Sequence, residues 1–283
     1  MVEVSFLGGR SAALLTKHQK EKVIKPTLEK GTGCRLIVTT AYDTDLFGAF
    51  TREVARRGSQ LAVARRKAQK AMELAGTELG VASEGSFGPH PAIPFLPFNR
   101  EIVLLIDAKA KLEIRGECAN SDTNFASAVV KNFTQAAEFA NQARFPDHFL
   151  VLRPDSETHP ELVKGINDWA WLKEALSWAL AKSVNGQVFL ETDMRALANP
   201  TRMQNIKKAT IDLVAKLNSG CPGCKTPGFA IVAREPGLPC ELCGFPTKEV
   251  AKLIFACQKC GYQVEKLGAN KTAAAARCDY CNP

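Results

Sequence analysis

Four C-x-x-C pairs, Cys221/Cys224, Cys240/Cys243, Cys257/Cys260 and Cys278/Cys281, all fall after residue 220 of this 283-residue chain. A structural zinc ion takes four thiolates at tetrahedral corners, and one C-x-x-C turn supplies two of them. Four such turns therefore make two zinc sites. CPGCKTPGFAIVAREPGLPCELCG reads as turn, β-type run, Pro-Gly turn and second turn, and CQKCGYQVEKLGANKTAAAARCDYC repeats the pattern. That is a pair of zinc ribbons over 218–283. Sequential pairing of the turns is the expectation, although nested or interleaved pairing satisfies the same spacing. The two remaining cysteines, Cys34 and Cys118, read as buried small hydrophobes.

Zinc also corrects the charge. The formal net charge is +8 with neutral thiols, and each four-cysteine site contributes about −2, leaving about +4. Charge alone is thus a weak argument for a nucleic-acid partner. No run approaches the roughly 18 apolar residues of a membrane span, and the first residues lack an apolar signal core, so a cytoplasmic protein is expected.

Before the cysteines, apolar strand-type runs alternate with helical periods, which predicts an α/β domain over 1–217. The expected architecture is a mixed twisted sheet flanked by helices. SAALLTKHQKEKVIKPTLEK reads as a strand feeding a helix, with Pro26 near a break. SQLAVARRKAQKAMELAG reads as a helix capped by Ser59 and stopped at Gly76. LGVAS reads as a short strand ending at Glu84, followed by a glycine turn and a Pro/Phe loop. EIVLLIDAKAKLEIRGE predicts a hairpin turning near Lys109. TNFASAVVKNFTQAAEFANQA and ELVKGINDWAWLKEALSWALAKS both read as helices, the second with its tryptophans packed inward. Pro200 suits the first position of a closing helix.

Strand carboxyl ends line the ligand crevice of open α/β sheets. Glu84 sits at one such end, with Asp43 and Glu53 in the preceding loop and Lys17, Lys20, Lys22, Arg65, Arg66, Lys67 and Lys70 near in sequence. Carboxylates there suit Mg²⁺ or Mn²⁺, and lysines suit phosphate oxygens. His90, held between Pro89 and Pro91, sits on a restrained backbone that suits positioning.

The chain resembles an uncharacterised bacterial domain family that shares the motifs found here at Thr16–Lys22 (T-K-H-x-K-E-K), Phe50–Glu53, Ser83–Pro91 (S-E-G-S-F-G-P-H-P), Glu191–Ala196 and Asn199–Met203. More distantly it is similar to the inosine triphosphate pyrophosphatase-like superfamily. On that resemblance Thr16 and His18 fall in a phosphate loop, Lys67 on a helix motif, Glu84-Gly85-Ser86 on an acidic turn, and Arg202 at a substrate-contacting end. Two positions depart from it: Glu21 stands where the loop lysine belongs, and Ala62 where the helix glutamate binds metal.

The resemblance implies a metal-dependent hydrolase of a phosphorylated, nucleotide-like substrate. Glu84, Glu53 and His90 would be catalytic, with Glu53 and Glu84 holding Mg²⁺. Thr16, Lys17, His18, Lys20, Lys67, Ser86 and Arg202 would bind substrate. The alternative is a binding module, in which the ribbons dock on nucleic acid or a protein complex and the α/β domain holds a ligand without turning it over.

Overall fold

A computed structural model describes residues 6–48 and 58–283. The chain divides into two compact units, one formed by Leu7–Val214 and the other containing Ala215–Pro283. The division falls inside the last long helix.

Leu7–Val214 is α/β, with its strands shared between two sheets rather than gathered in one. The first sheet takes β1 (Ser11–Leu15), β2 (Arg35–Thr39), β3 (Leu79–Pro89), β4 (Pro97–Asp107) and β5 (Leu112–Asn120) in the order β2-β1-β3-β4-β5. β2, β1 and β3 run parallel, joined by crossover helices α1 (Glu21–Thr32) and α2 (Gln60–Ala75), and β3, β4 and β5 form an antiparallel meander. The second sheet is antiparallel throughout, in the order β6 (Ser127–Val130), β9 (Val188–Thr192), β7 (Leu150–Pro154), β8 (Val163–Ile166). Helices α3 (Phe133–Gln142) and α4 (Trp169–Lys182) cover it, and α5 (Pro200–Leu217) closes the unit.

Local signals account for many of these boundaries. The Ser59 hydroxyl accepts the Ala62 N–H at the start of α2, and Gly76 ends it in the left-handed region, as the sequence predicts. The hairpin between β4 and β5 turns at residues 108–111. Pro26, by contrast, lies inside α1 with helix continuing beyond it. The two segments read as single helices are each a short strand followed by a helix. Asn132 and Asp168 accept the Gln135 and Trp171 N–H groups and start α3 and α4 only after those strands. Leu172, Leu176 and Ala179 bury against the second sheet, while Trp169 and Trp171 stay partly exposed.

Helices cover the first sheet on both faces. Ala64 and Ala68 of α2 pack on Ala82, Ile102 and Leu104. On the opposite face α5 lies so close to β5 that a Cβ on Gly116 would stand 2.1 Å from the Ala209 carbonyl oxygen. Only glycine admits that approach.

The unit containing Ala215–Pro283 is a three-stranded antiparallel meander of β10 (Ala230–Pro236), β11 (Val250–Ala256) and β12 (Gln263–Leu267). Its small core joins Phe229 to Cys221 and Cys257. Among the described residues no helix is long and apolar enough to cross a membrane.

Candidate functional site

β1 stops at Leu15 while its parallel neighbour β3 continues to Pro89, so past Val81 that edge of β3 has no strand beside it. The loop leaving β1 fills the gap. Lys20, at the start of α1, donates from Nζ to the Ser83 carbonyl at 2.7 Å and is buried. Thr16 is buried in the same loop, where its hydroxyl accepts the His18 N–H at 3.3 Å. Lys17 instead turns outward to Asp43, 2.9 Å away.

Glu84 does not end its strand. β3 and β4 pair without a break from Leu79↔Asp107 to Pro89↔Pro97, which places Glu84 near the middle of β3, opposite Ile102. The hydrogen bonds of this long pairing carry the chain straight through Gly85 as extended strand. Because side chains alternate along a strand, Glu84 faces α2 and forms an ion pair with Lys67 there. Gln60 of α2 ties both strands together, donating to the Glu84 carbonyl at 2.7 Å and the Arg100 carbonyl at 2.8 Å.

The opposite face carries a second pair that the sequence did not single out. Gly85 stands across from Glu101 of β4, and the Glu101 carboxylate accepts Arg202 Nε at 2.8 Å, with both side chains essentially inaccessible to solvent. Arg202 also donates to the Met194 carbonyl and covers the Phe87 ring at 5.3 Å. A Cβ at position 85 would lie 2.5 Å from Glu101 Oε1 and 2.7 Å from Arg202 Nη2. The glycine of S-E-G-S-F-G therefore makes room for an ion pair, and turns nothing. The sequence does not mark Glu101 as buried, because EIVLLID reads as a core strand with Glu101 at its edge.

Lys20 lies at the edge between these two faces. Burial above all, then the charges of Arg202 and Lys67, lower its pKa to about 7, with Glu84 and Glu101 acting in the opposite sense. Among the described residues three cations, Lys20, Lys67 and Arg202, thus share a buried region with two carboxylates, Glu84 and Glu101. That balance suits an added anion better than an added cation. Glu84 and Glu101 face opposite sides of the sheet and each holds a cation, so they do not converge on one metal ion. Among the described residues the clusters with metal-ligand geometry are the two cysteine sets alone. The expected Mg²⁺ or Mn²⁺ site therefore has no described donor set, and its other proposed ligand, Glu53, lies outside the described residues.

His90 is also separate. It sits six residues beyond Glu84, about 20 Å along an extended strand, at the hairpin tip. There its Nδ1 accepts the Ala92 and Ile93 N–H groups at 3.1 and 3.2 Å, and its ring meets Phe98 edge-on. It serves as a turn cap. Ser86 is half-buried on the α2 face of β3, across from Arg100. Of the expected residues, Lys20, Lys67, Glu84 and Arg202 gather, and His90 does not.

The two cysteine sets pair in an interleaved order. Cys221, Cys224, Cys257 and Cys260 form one, and Cys240, Cys243, Cys278 and Cys281 the other. Sulfur separations of 3.7 Å (Cys221–Cys260), 3.6 Å (Cys224–Cys257), 3.9 Å (Cys240–Cys281) and 3.7 Å (Cys243–Cys278) match the edge of about 3.8 Å expected for a tetrahedron with zinc–sulfur bonds of about 2.3 Å. The meander imposes the order. β10 carries the chain from the first turn to the far end, where the second turn sits. β11 brings the third turn back beside the first, since Ala230 pairs with Ala256. β12 returns again, and the fourth turn meets the second. Sequential pairing would require two turns at opposite ends of β10 to meet. Lys225, Gly244 and Gly261, each following the second cysteine of a turn, adopt left-handed backbone that closes it. Both sets can hold a structural zinc ion.

Cys34 is buried as expected, whereas Cys118 is half-buried in a polar setting, 3.7 Å from Asn205 Oδ1.

No curated protein matches the chain. The model of one family, described as a domain of unknown function (DUF6671), matches residues 67–283. The match runs from α2 through both cysteine sets, and the chain accordingly belongs to the DUF6671 family.

Proposed function

We propose that the α/β unit binds a phosphorylated, nucleotide-like ligand at the carboxyl end of β1, with Lys20, Lys67 and the Thr16–Lys20 loop meeting its phosphates. The observation that carries this reading is the surplus, among the described residues, of buried cations over carboxylates beside a parallel strand end. Burying an ammonium without its full complement of counter-charge is costly, and a phosphate would supply that charge. Lys67 would then be drawn from Glu84 toward the ligand, leaving Glu84 able to take a proton or orient a water. Hydrolysis of a phosphoanhydride is the reaction this arrangement supports, by similarity to the pyrophosphatase-like enzymes. No step is assigned to Mg²⁺, for which the described residues offer no donor set.

The alternative, a ribbon that clamps nucleic acid, has weaker support. From residue 215 onward there are nine Lys and Arg against five Asp and Glu, and two tetrathiolate zinc sites of about −2 each bring that unit close to neutral.

Titration calorimetry of the whole protein with a panel of nucleoside mono-, di- and triphosphates tests binding, and pyrophosphate release with and without Mg²⁺ tests turnover. We expect one saturable nucleotide site, weakened by Lys20→Met, and turnover reduced by Glu84→Gln. Absence of binding across the panel, or binding indifferent to Lys20→Met, would overturn the reading. Binding without release would leave a non-catalytic ligand domain.

A further inference from the structure

A groove of about 560 Å³ runs between α1 and α5, walled by Val23, Pro26, Thr27 and Ile211 with Lys22, Lys30 and Lys207 among its lining residues. Its size falls in the range of small-molecule sites. It shares no residue with the cluster around Lys20, so it stands independently of the function proposed above.

Three features indicate what it takes. First, its charge has one sign: three lysines line it and, among the described residues, no carboxylate does. Lys22 donates to Gln19 Oε1 at 2.6 Å, and neither Lys30 nor Lys207 forms an ion pair among the described residues. Second, the walls between the lysines are apolar and open to solvent. Ile211 is 51% exposed although it lies on a helix whose other face is core. Third, Pro26 is exposed in mid-helix. Proline there forgoes the hydrogen bond to the Lys22 carbonyl, a destabilising choice in mid-helix, with no burial to offset it. It gives the groove a flat apolar wall.

We infer that this groove is a binding site for a small amphiphilic anion, an apolar body carrying negative groups that reach the lysines. Lys22 and Lys30 stand eight residues apart on α1, about 12 Å along the helix, so a ligand with acidic groups at both ends would engage both. Its apolar middle would lie on Pro26 and Ile211.

The test uses the full-length protein and anilinonaphthalene sulfonate, a fluorescent anion with an apolar ring body, alongside its uncharged parent phenylnaphthylamine. The sulfonate should bind at one saturable site and more tightly than the neutral parent. The double variant Lys30→Glu/Lys207→Glu should weaken it about tenfold or more, and binding should fall as salt rises from about 0.05 to about 0.5 M. Both lysines are exposed, so the variant should keep its thermal midpoint, and Ile211→Glu supplies a second variant with the same expected loss. Equal affinity for the neutral parent, no saturable binding, or binding untouched by either variant would overturn the inference.

Discussion

Arg202 Nε donates to Glu101 Oε1 at 2.8 Å directly above Gly85, with 1% and 0% of the two side chains exposed. Charge and close packing are therefore joined at one point. A methyl group at position 85 would sit 2.5 Å from the carboxylate oxygen, and Gly85→Ala should lose about 2 kcal/mol or more in urea unfolding, the usual cost of overpacking. Removing one partner by Arg202→Met strands a buried carboxylate and should cost about 3–5 kcal/mol. Adding Glu101→Leu to that variant should recover a large part of the loss. A double variant no more stable than Arg202→Met would show that the two groups are not coupled.

Lys20 makes stability depend on pH with a defined sign. Its pKa falls from 10.5 unfolded to about 7 folded, chiefly through burial. Below about pH 7 both states hold the proton and the fold bears the cost of a buried charge. Between about 7 and 10.5 the unfolded chain binds a proton that the folded chain does not, so stability rises with pH. Lys20→Met removes the charge and should stabilise the protein by a few kcal/mol at about pH 6, and by much less near pH 10. An anionic ligand that pairs with Lys20 should also bind with proton uptake at about pH 8, measurable as a buffer-dependent heat. A Lys20→Met variant with a pH–stability curve parallel to wild type would contradict this assignment.

How far these features can be read in the sequence depends on their range. Ser59, Gly76, Pro200 and the turn near Lys109 act through neighbouring backbone, and each marks its element correctly. Glu84 misled because a glycine after an acidic residue resembles a turn. The eleven-pair register with β4 is a long-range fact that overrides the local signal. Glu101 was hidden for the same reason: its partner Arg202 lies 101 residues away. The division into two sheets was equally invisible, since both contain short apolar strands of one kind. The interleaved cysteine order was within reach, because a strand between successive turns sends them to alternate ends.

Pro26 separates local helix cost from groove function. Pro26→Ala restores a backbone donor to the Lys22 carbonyl inside α1 and removes no buried contact, since the ring is exposed. The variant should gain about 1–3 kcal/mol in denaturant unfolding, with a small rise in helical circular dichroism. It should also weaken dye binding in the groove while leaving the salt dependence in place, because the lysines remain. A loss of stability would show that Pro26 fixes the packing of α1.

Zinc stoichiometry distinguishes the interleaved order from the sequential one without a further structure. The full chain should hold two zinc ions, and any single Cys→Ser change in either set should lower the content toward one. Double variants then diverge. Cys221→Ser/Cys257→Ser alters one site if the order is interleaved, and both sites if it is sequential. Cys221→Ser/Cys240→Ser does the reverse. Mass spectrometry under non-denaturing conditions should therefore find one zinc in the first variant and none in the second. Structural zinc is folding energy in so small a meander, so the second variant should also lose the protease resistance of residues 215–283 while the first keeps part of it. The opposite stoichiometries would restore sequential pairing and overturn the arrangement of β10, β11 and β12 that the interleaved order requires.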